Sequence, residues 1–289
     1  TSLLLESRDG GECGLKQEGL HLKKGKKYRF HLFAGIRGDM SEAGLNGFGD
    51  TIHTEEEEKL TVKIGKQQTC FSLTSVPRLY EWEWEAREDE ITDIRITFTF
   101  RGTLVLAFAS LMPDDNLGGW RADVVEKLKE ASPSVVRFPG GCFVSFYNWE
   151  SSIGDRDTRE PQPSFYWGGL EENDVGLDEF LHLSRLVGFE PQICFNMMTS
   201  DPFKARQLVE YLNAPETVGM GRRRMLNGKP EHYGVMLFEM DNEPGRKWTA
   251  RQYAQKCVEL AREMRLADPA IEQRLAAYAY DPELLPMML

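Results

Sequence analysis

Two periods divide this chain. Up to about Pro113, apolar residues recur at every second position. The runs are Tyr28, Phe30 and Leu32; Leu60, Val62 and Ile64; Tyr80, Trp82 and Trp84; Ile94, Ile96, Phe98 and Phe100; and Leu104, Leu106 and Phe108. Short alternating runs separated by Gly- and charge-rich turns predict half-buried strands, and several of them predict a β-sandwich. Residues 1–113 therefore read as a jelly-roll-like β-sandwich module. The Tyr80, Trp82, Trp84 stripe reads as a core face of that sandwich, with a sugar platform as the alternative. The run Glu55-Glu56-Glu57-Glu58 reads as a solvated loop.

After Pro113 the pattern becomes strand and helix in alternation. Arg121 to Ala131 predicts a helix with Val124, Val125 and Leu128 inward, and Ser134 to Phe138 a strand ending at Pro139-Gly140-Gly141. Leu177 to Val187 predicts a helix and Pro191 to Asn196 the next strand. Asp201-Pro202 reads as an N-cap followed by proline at the first helical position, opening a helix with Leu208, Val209 and Leu212 on its face. The apolar run Val235 to Phe238 predicts a buried strand, Thr249 to about Leu266 a helix, and Leu275 to Tyr280 a last strand. Residues 114–289 thus read as α/β, part of a (β/α)8 barrel, because a complete barrel has eight strand–helix units and this pattern supplies roughly half. The expected fold class is β-sandwich plus α/β.

Composition narrows the function. The 289 residues carry a formal net charge of −11, which disfavours polyanionic partners: no nucleic acid and no anionic membrane surface are expected. Cys13, Cys70, Cys142, Cys194 and Cys257 are odd in number, widely spaced and without a CxxC, so a zinc ribbon or disulfide framework is not expected. The five His residues are scattered, and neither a metal nor a cofactor is expected. No apolar run reaches the length of a membrane-spanning helix. The N-terminal residues show no signal peptide and fix no compartment; a secreted or periplasmic location is expected over a cytoplasmic one.

Three predicted strand ends carry polar groups: Arg137-Phe138-Pro139-Gly140-Gly141-Cys142, Phe195-Asn196, and Asp241-Asn242-Glu243. In a parallel barrel all three converge on one face. A carboxyl there, beside an amide that grips a sugar hydroxyl, suits a glycosidase acid/base. Plainer readings stand beside this one. Glu243 is also placed to favour a helix dipole, Arg137 to form a structural ion pair, and Cys142 to be a small buried thiol.

The motifs Arg137-Phe138-Pro139-Gly140-Gly141-Cys142-Phe143-Val144, Tyr147-Asn148-Trp149-Glu150, Gly176-Leu177-Asp178-Glu179-Phe180, Asn227 to Val235 and Phe238-Glu239-Met240-Asp241-Asn242-Glu243 occur in a telling order. Over roughly Leu111 to Asp281 the sequence resembles glycoside hydrolase family 51, the α-L-arabinofuranosidases. The preceding sandwich is similar to the carbohydrate-binding-module-like insert of some members. The resemblance implies that Glu243 is the acid/base of a retaining mechanism, protonating the leaving oxygen and then activating water. That role needs a proton held near neutral pH, which partial burial and a nearby anionic nucleophile supply. It further implies that Asn242 holds the sugar 2-hydroxyl, that Arg137 orients the nucleophile carboxylate, and that Cys142 lies against the bound arabinose. Asn196 is a candidate at the next strand end, and Trp149 and Trp248 are candidate stacking faces for neighbouring sugars.

Two departures stand out. Asp241 occupies the place of the family's usual Gly in Gly-Asn-Glu, and Gly245-Arg246 follows where many members carry Trp-Gly. The family's nucleophile is a Glu on a later strand than those found here. The expected activity is removal of α-L-arabinofuranosyl units from plant polysaccharides or oligosaccharides, the partner being an arabinose-containing glycan. A complementary chain or homo-oligomer completing the barrel is a further expected partner, since a half barrel exposes its edges. The alternatives are an endoglucanase or β-xylosidase on a similar barrel, and a non-catalytic glycan-binding protein or fragment.

Overall fold

The computed structural model describes residues 2–37 and 58–275. Two compact units divide the chain, Thr1–Gly119 and Trp120–Leu289. Glu55 to Glu57 of the acidic run, and residues 276–280 of the last predicted strand, lie outside the described residues.

Among the described residues the first unit holds eight strands: β1 (Leu3–Ser7), β2 (Cys13–Leu22), β3 (Lys27–Arg37), β4 (Lys59–Ile64), β5 (Gln67–Ser72), β6 (Arg78–Glu85), β7 (Glu90–Phe98) and β8 (Gly102–Pro113). They form two four-stranded antiparallel sheets, ordered β1-β8-β3-β6 and β2-β7-β4-β5. One core joins residues from both sheets: Phe30 and Leu32 of β3, Leu60, Val62 and Ile64 of β4, Phe98 of β7 and Leu104 of β8 are buried together. This is the sandwich that the period-two pattern predicts. Tyr80 is buried, and Trp82 and Trp84 pack against the same core, stacked at 4.3 Å between ring centroids.

Phe108 departs from its expected face. The pairing of β3 with β8 shifts register between Phe33 and Ala34, so that Phe33 faces Phe108 while Ala34 faces Leu106. The extra residue on β8 turns every following side chain to the other face of the sheet. Phe108 accordingly stacks on Phe33 and meets His31 edge-on, while Leu111 takes the inward place.

The second unit contains α1 (Ala122–Ala131), β9 (Val135–Phe138), the short hairpin β10 (Gln162–Pro163) and β11 (Leu170–Glu171), α2 (Leu177–Val187), β12 (Glu190–Phe195), α3 (Pro202–Asn213), α4 (Gly219–Leu226), β13 (Leu237–Met240), α5 (Ala250–Ala267) and β14 (Glu272–Leu275). The sheet runs β14-β13-β12-β9, and every neighbouring pair is parallel. Consecutive parallel strands joined by helices are the expected partial barrel in its coarse form. Ile193, Cys194 and Phe195, and all of β13, are buried, as strands covered on both faces require.

Local chemistry sets the helix ends. Asp201 accepts from the Lys204 amide at 2.9 Å with Pro202 at the first position of α3, and Thr249 caps α5 with Gln252 reaching back to the Thr249 amide at 3.0 Å. The α2 terminus is closed by Glu179, which accepts from the Gly176 amide at 2.8 Å. Three expectations shift. Val124 is exposed, because α1 turns only Val125 fully inward. β13 begins at Leu237 rather than Val235, because the Asn213 amide group binds both the N–H and the C=O of Val235 at 2.8 Å. β14 begins at Glu272, whose amide donates to the Met236 carbonyl at 2.8 Å.

Candidate active site

Parallel order brings the C-terminal ends of β9, β12 and β13 to one edge of the sheet. Just inside that edge lies a polar layer. Arg137 of β9 donates to Glu239 Oε1 of β13 at 2.8 Å, and Gln192 of the intervening β12 donates to Glu239 Oε2 at 2.5 Å. Arg137 also reaches Asn242 Oδ1, both terminal nitrogens lying 3.4 Å from it. Burial, and next the Glu239 carboxylate, push the Cys194 thiol far up from its ordinary range. It therefore stays protonated and donates to the Asp241 carbonyl at 3.2 Å.

At the tips, the turn Gly141–Phe146 that follows β9 carries Cys142. Asn242 Nδ2 donates to Cys142 Sγ at 3.5 Å, and Cys142 Sγ donates to Glu243 Oε2 at 3.6 Å. The Glu243 side chain is half exposed, and Arg246 Nε lies 3.3 Å from Oε2. Arg137, Cys142, Asn242 and Glu243 thus share one chain of contacts, with the Glu243 carboxyl open to an incoming group. The connecting backbone is unusual: Asp241 (φ 60°) and Glu243 (φ 45°) both occupy the left-handed region. Non-glycine residues there are uncommon and concentrate at functional sites.

Two candidates fall away. Asn196 spends its whole amide on the loops after β9 and β12: Nδ2 donates to the Tyr147 carbonyl at 3.2 Å and to Thr199 Oγ1 at 2.7 Å. Its Oδ1 accepts from the Met198 and Thr199 amides at 2.9 and 3.0 Å. No hydrogen-bonding capacity remains for a sugar. Trp149 is buried, its ring 5.9 Å from that of Tyr211, so it is core and no stacking face. Trp248 sits half-buried ahead of α5, stacked on Tyr253 at 6.1 Å with the Lys247 and Lys256 ammonium groups 5.8 and 5.7 Å from its ring centre.

Other groups escape the strand-end pattern. Phe165, Tyr166 and Trp167 are three successive aromatics at the β10–β11 hairpin, 68%, 47% and 76% exposed. The Phe146 ring, at the end of the turn that carries Cys142, contacts those of Phe165 and Tyr166 at 4.9 and 5.6 Å. The signal was present as three aromatics running into Gly168-Gly169, a turn that leaves large rings outside a core. Glu239 was also missed as Arg137's partner. Among the described residues, no group of three or more His, Cys, Asp or Glu could hold a metal ion.

The family model for the alpha-L-arabinofuranosidase 1 domain matches residues 127–283. The alpha-L-arabinofuranosidase C of Emericella nidulans is 37% identical over 166 residues, covering 56% of this chain and 32% of that protein. The chain therefore spans about a third of the length of the curated relatives it matches. The arabinose-bound MgGH51 α-L-arabinofuranosidase superposes over 99% of this chain and 50% of its own with a TM-score of 0.80; at 19% identity that match shows the fold alone. The arabinose complex of the α-L-arabinofuranosidase from Thermotoga maritima is 33% identical, with a TM-score of 0.57 over 60% of this chain and 36% of its own. The resemblance to family 51 drawn from the motifs is borne out. The chain belongs to the alpha-L-arabinofuranosidase 1 domain family, the matched model spanning more than half of its residues.

Proposed function

We propose that this chain carries the acid/base side of a retaining glycosidase site that releases α-L-arabinofuranosyl groups from arabinose-containing glycans. Its second unit is then part of a (β/α)8 barrel, with the nucleophile carboxylate on a later strand of the complete barrel. The observation that carries this reading is the tip cluster: Cys142 Sγ lies 3.6 Å from Glu243 Oε2 and 3.5 Å from Asn242 Nδ2, with Arg137 beneath. A retaining mechanism needs a carboxylic acid that protonates the leaving oxygen and then, as carboxylate, activates water. Glu243 is half exposed at the strand tips, where it can meet both. Asn242 offers an amide beside it for the 2-hydroxyl, a contact that strengthens as the ring becomes oxocarbenium-like. Arg137, held by Glu239, supplies positive charge under the cup. The rings of Phe165, Tyr166 and Trp167 provide an aromatic wall for sugars beyond the one being released.

The test is a substrate panel on the protein that contains this chain: nitrophenyl α-L-arabinofuranoside, β-D-xyloside and β-cellobioside. Turnover of the arabinofuranoside alone supports the proposal. Preference for the xyloside or cellobioside moves the activity to another glycosidase class. Binding of arabinan without turnover of any donor makes the protein a glycan-binding one.

A further inference from the structure

The Glu243 turn is held from behind by a buried ion pair. Asp241 has no solvent exposure and Lys247 keeps 5% of its side-chain exposure, their charged atoms 2.5 Å apart. Asp241 Oδ1 also accepts from Ser145 Oγ and from the Asn242 amide, both at 2.7 Å, and Oδ2 accepts from the Met197 amide at 2.8 Å. Lys247 adds bonds to Ser145 Oγ and, at 2.5 Å, to the Asn242 carbonyl. One carboxylate thus ties together the loops that follow β9, β12 and β13. The Asn242 backbone is gripped on both sides, its N–H by Asp241 and its C=O by Lys247.

Asp241 takes φ 60°, a conformation glycine adopts freely, Asn and Asp less readily, and other residues resist. An aspartate here brings both a backbone cost and a buried negative charge, and a buried charge persists only when paired and hydrogen-bonded. Lys247, six positions on, answers the charge; Ser145 and the two amides fill the remaining lone pairs.

We propose that Asp241 and Lys247 act as one positioning unit that holds Asn242 and Glu243 against Cys142. Neither residue touches the bound sugar; they act through the turn. The proposal rests on the reading of Asn242 and Glu243 as site residues, and its test does not depend on turnover.

The thiol of Cys142 reports the turn directly, because Asn242 and Glu243 both contact it. The experiment is the iodoacetamide alkylation rate of each cysteine, followed by peptide mass spectrometry on the protein that contains this chain and on three variants: Lys247→Met, Asp241→Gly, and both together. Exposed Cys70 controls for reagent and buried Cys257 for the fold. Each single variant is expected to raise the Cys142 rate about fivefold or more with Cys257 still protected, since reactivity follows access. The double variant is expected to return to within about twofold of the parent, because glycine holds the turn without a charge to compensate. Unchanged Cys142 rates in both single variants overturn the proposal. So does a double variant no closer to the parent than the singles. If the single variants lose the fold, seen as reaction of Cys257, the double variant decides: a parental Cys142 rate supports the unit, and a raised rate overturns it. Should the wild-type protein cleave no arabinoside, the functional reading falls and the cysteine result still stands.

Discussion

Arg137 and Glu239 bond at 2.8 Å across a strand, since β12 lies between the strands that carry them. Gln192 of β12 completes the layer from the middle. This interior row sets the height of Arg137 below the tips, and Asn242 rests on the same guanidinium. The family resemblance implies a nucleophile for Arg137 to orient, and the plainer reading is a structural ion pair; within the described residues its carboxylate is Glu239.

Removing either partner leaves the other charge poorly compensated. Breaking a fully buried pair costs about 3–5 kcal/mol, and the 35% side-chain exposure of Arg137 lowers the expectation for Glu239→Ala to about 2–3 kcal/mol. Arg137→Ala should cost a similar amount, and the double variant less than the sum. Urea denaturation of the four proteins measures this coupling; additive losses would show that the pair contributes nothing of its own.

Alkaline pH should destabilise the fold in a defined window. Burial pushes up the Cys257 thiol, to about 12, and the Tyr147 phenol. Burial first and the Asp178 carboxylate second push up Tyr211 and Tyr233, both of which donate to Asp178. Each acid holds its proton more tightly folded than unfolded. Their stabilising contribution is therefore full below the ordinary values of 9.0 for Cys and 10.0 for Tyr, and is lost as pH rises past them. Thermal midpoints between neutral pH and pH about 10.5 should stay level at first and then fall. For Tyr233→Phe the fall should be shallower, and an equal fall would remove this phenol from the account.

The exposed hairpin should matter for long substrates only. Trp167→Ala removes a ring that is 76% exposed, so little stability is lost. Stacking of this kind contributes about 1 kcal/mol, so KM for an arabino-oligosaccharide should rise about fivefold while nitrophenyl arabinofuranoside is turned over as before. Equal effects on both substrates would place the ring elsewhere than along the glycan.

Regular periodicity made much of the fold legible. The α2, α3 and α5 helices follow from apolar spacing and their caps, and the sandwich from strict alternation. Legibility failed where one residue answers to a distant one. The β8 bulge that turns Phe108 outward is set by pairing with β3, and the start of β13 by Asn213. At the candidate site, strand-end logic predicts that Arg137, Cys142, Asn242 and Glu243 meet, and the structure places them in one chain of contacts. It also names Asn196, whose amide is taken up by the loops after β9 and β12, while Trp149, a candidate that came with the resemblance, fills the core. It had no means of seeing Asp241 and Lys247 as a pair, because their bond depends on a left-handed turn between them.

The central claim is that Glu243 donates a proton to the departing oxygen. The most direct test is Glu243→Gln in the protein containing this chain, assayed with arabinofuranosides of differing leaving groups. A sugar or alkyl alcohol needs protonation to depart, so kcat should fall by about 10²–10⁴. Dinitrophenolate leaves unaided, so the bond-cleaving step should be nearly unchanged for that donor, visible as a burst of dinitrophenol before slow release of arabinose. An equal loss in the bond-cleaving step for every leaving group, or no loss for any, would contradict the account.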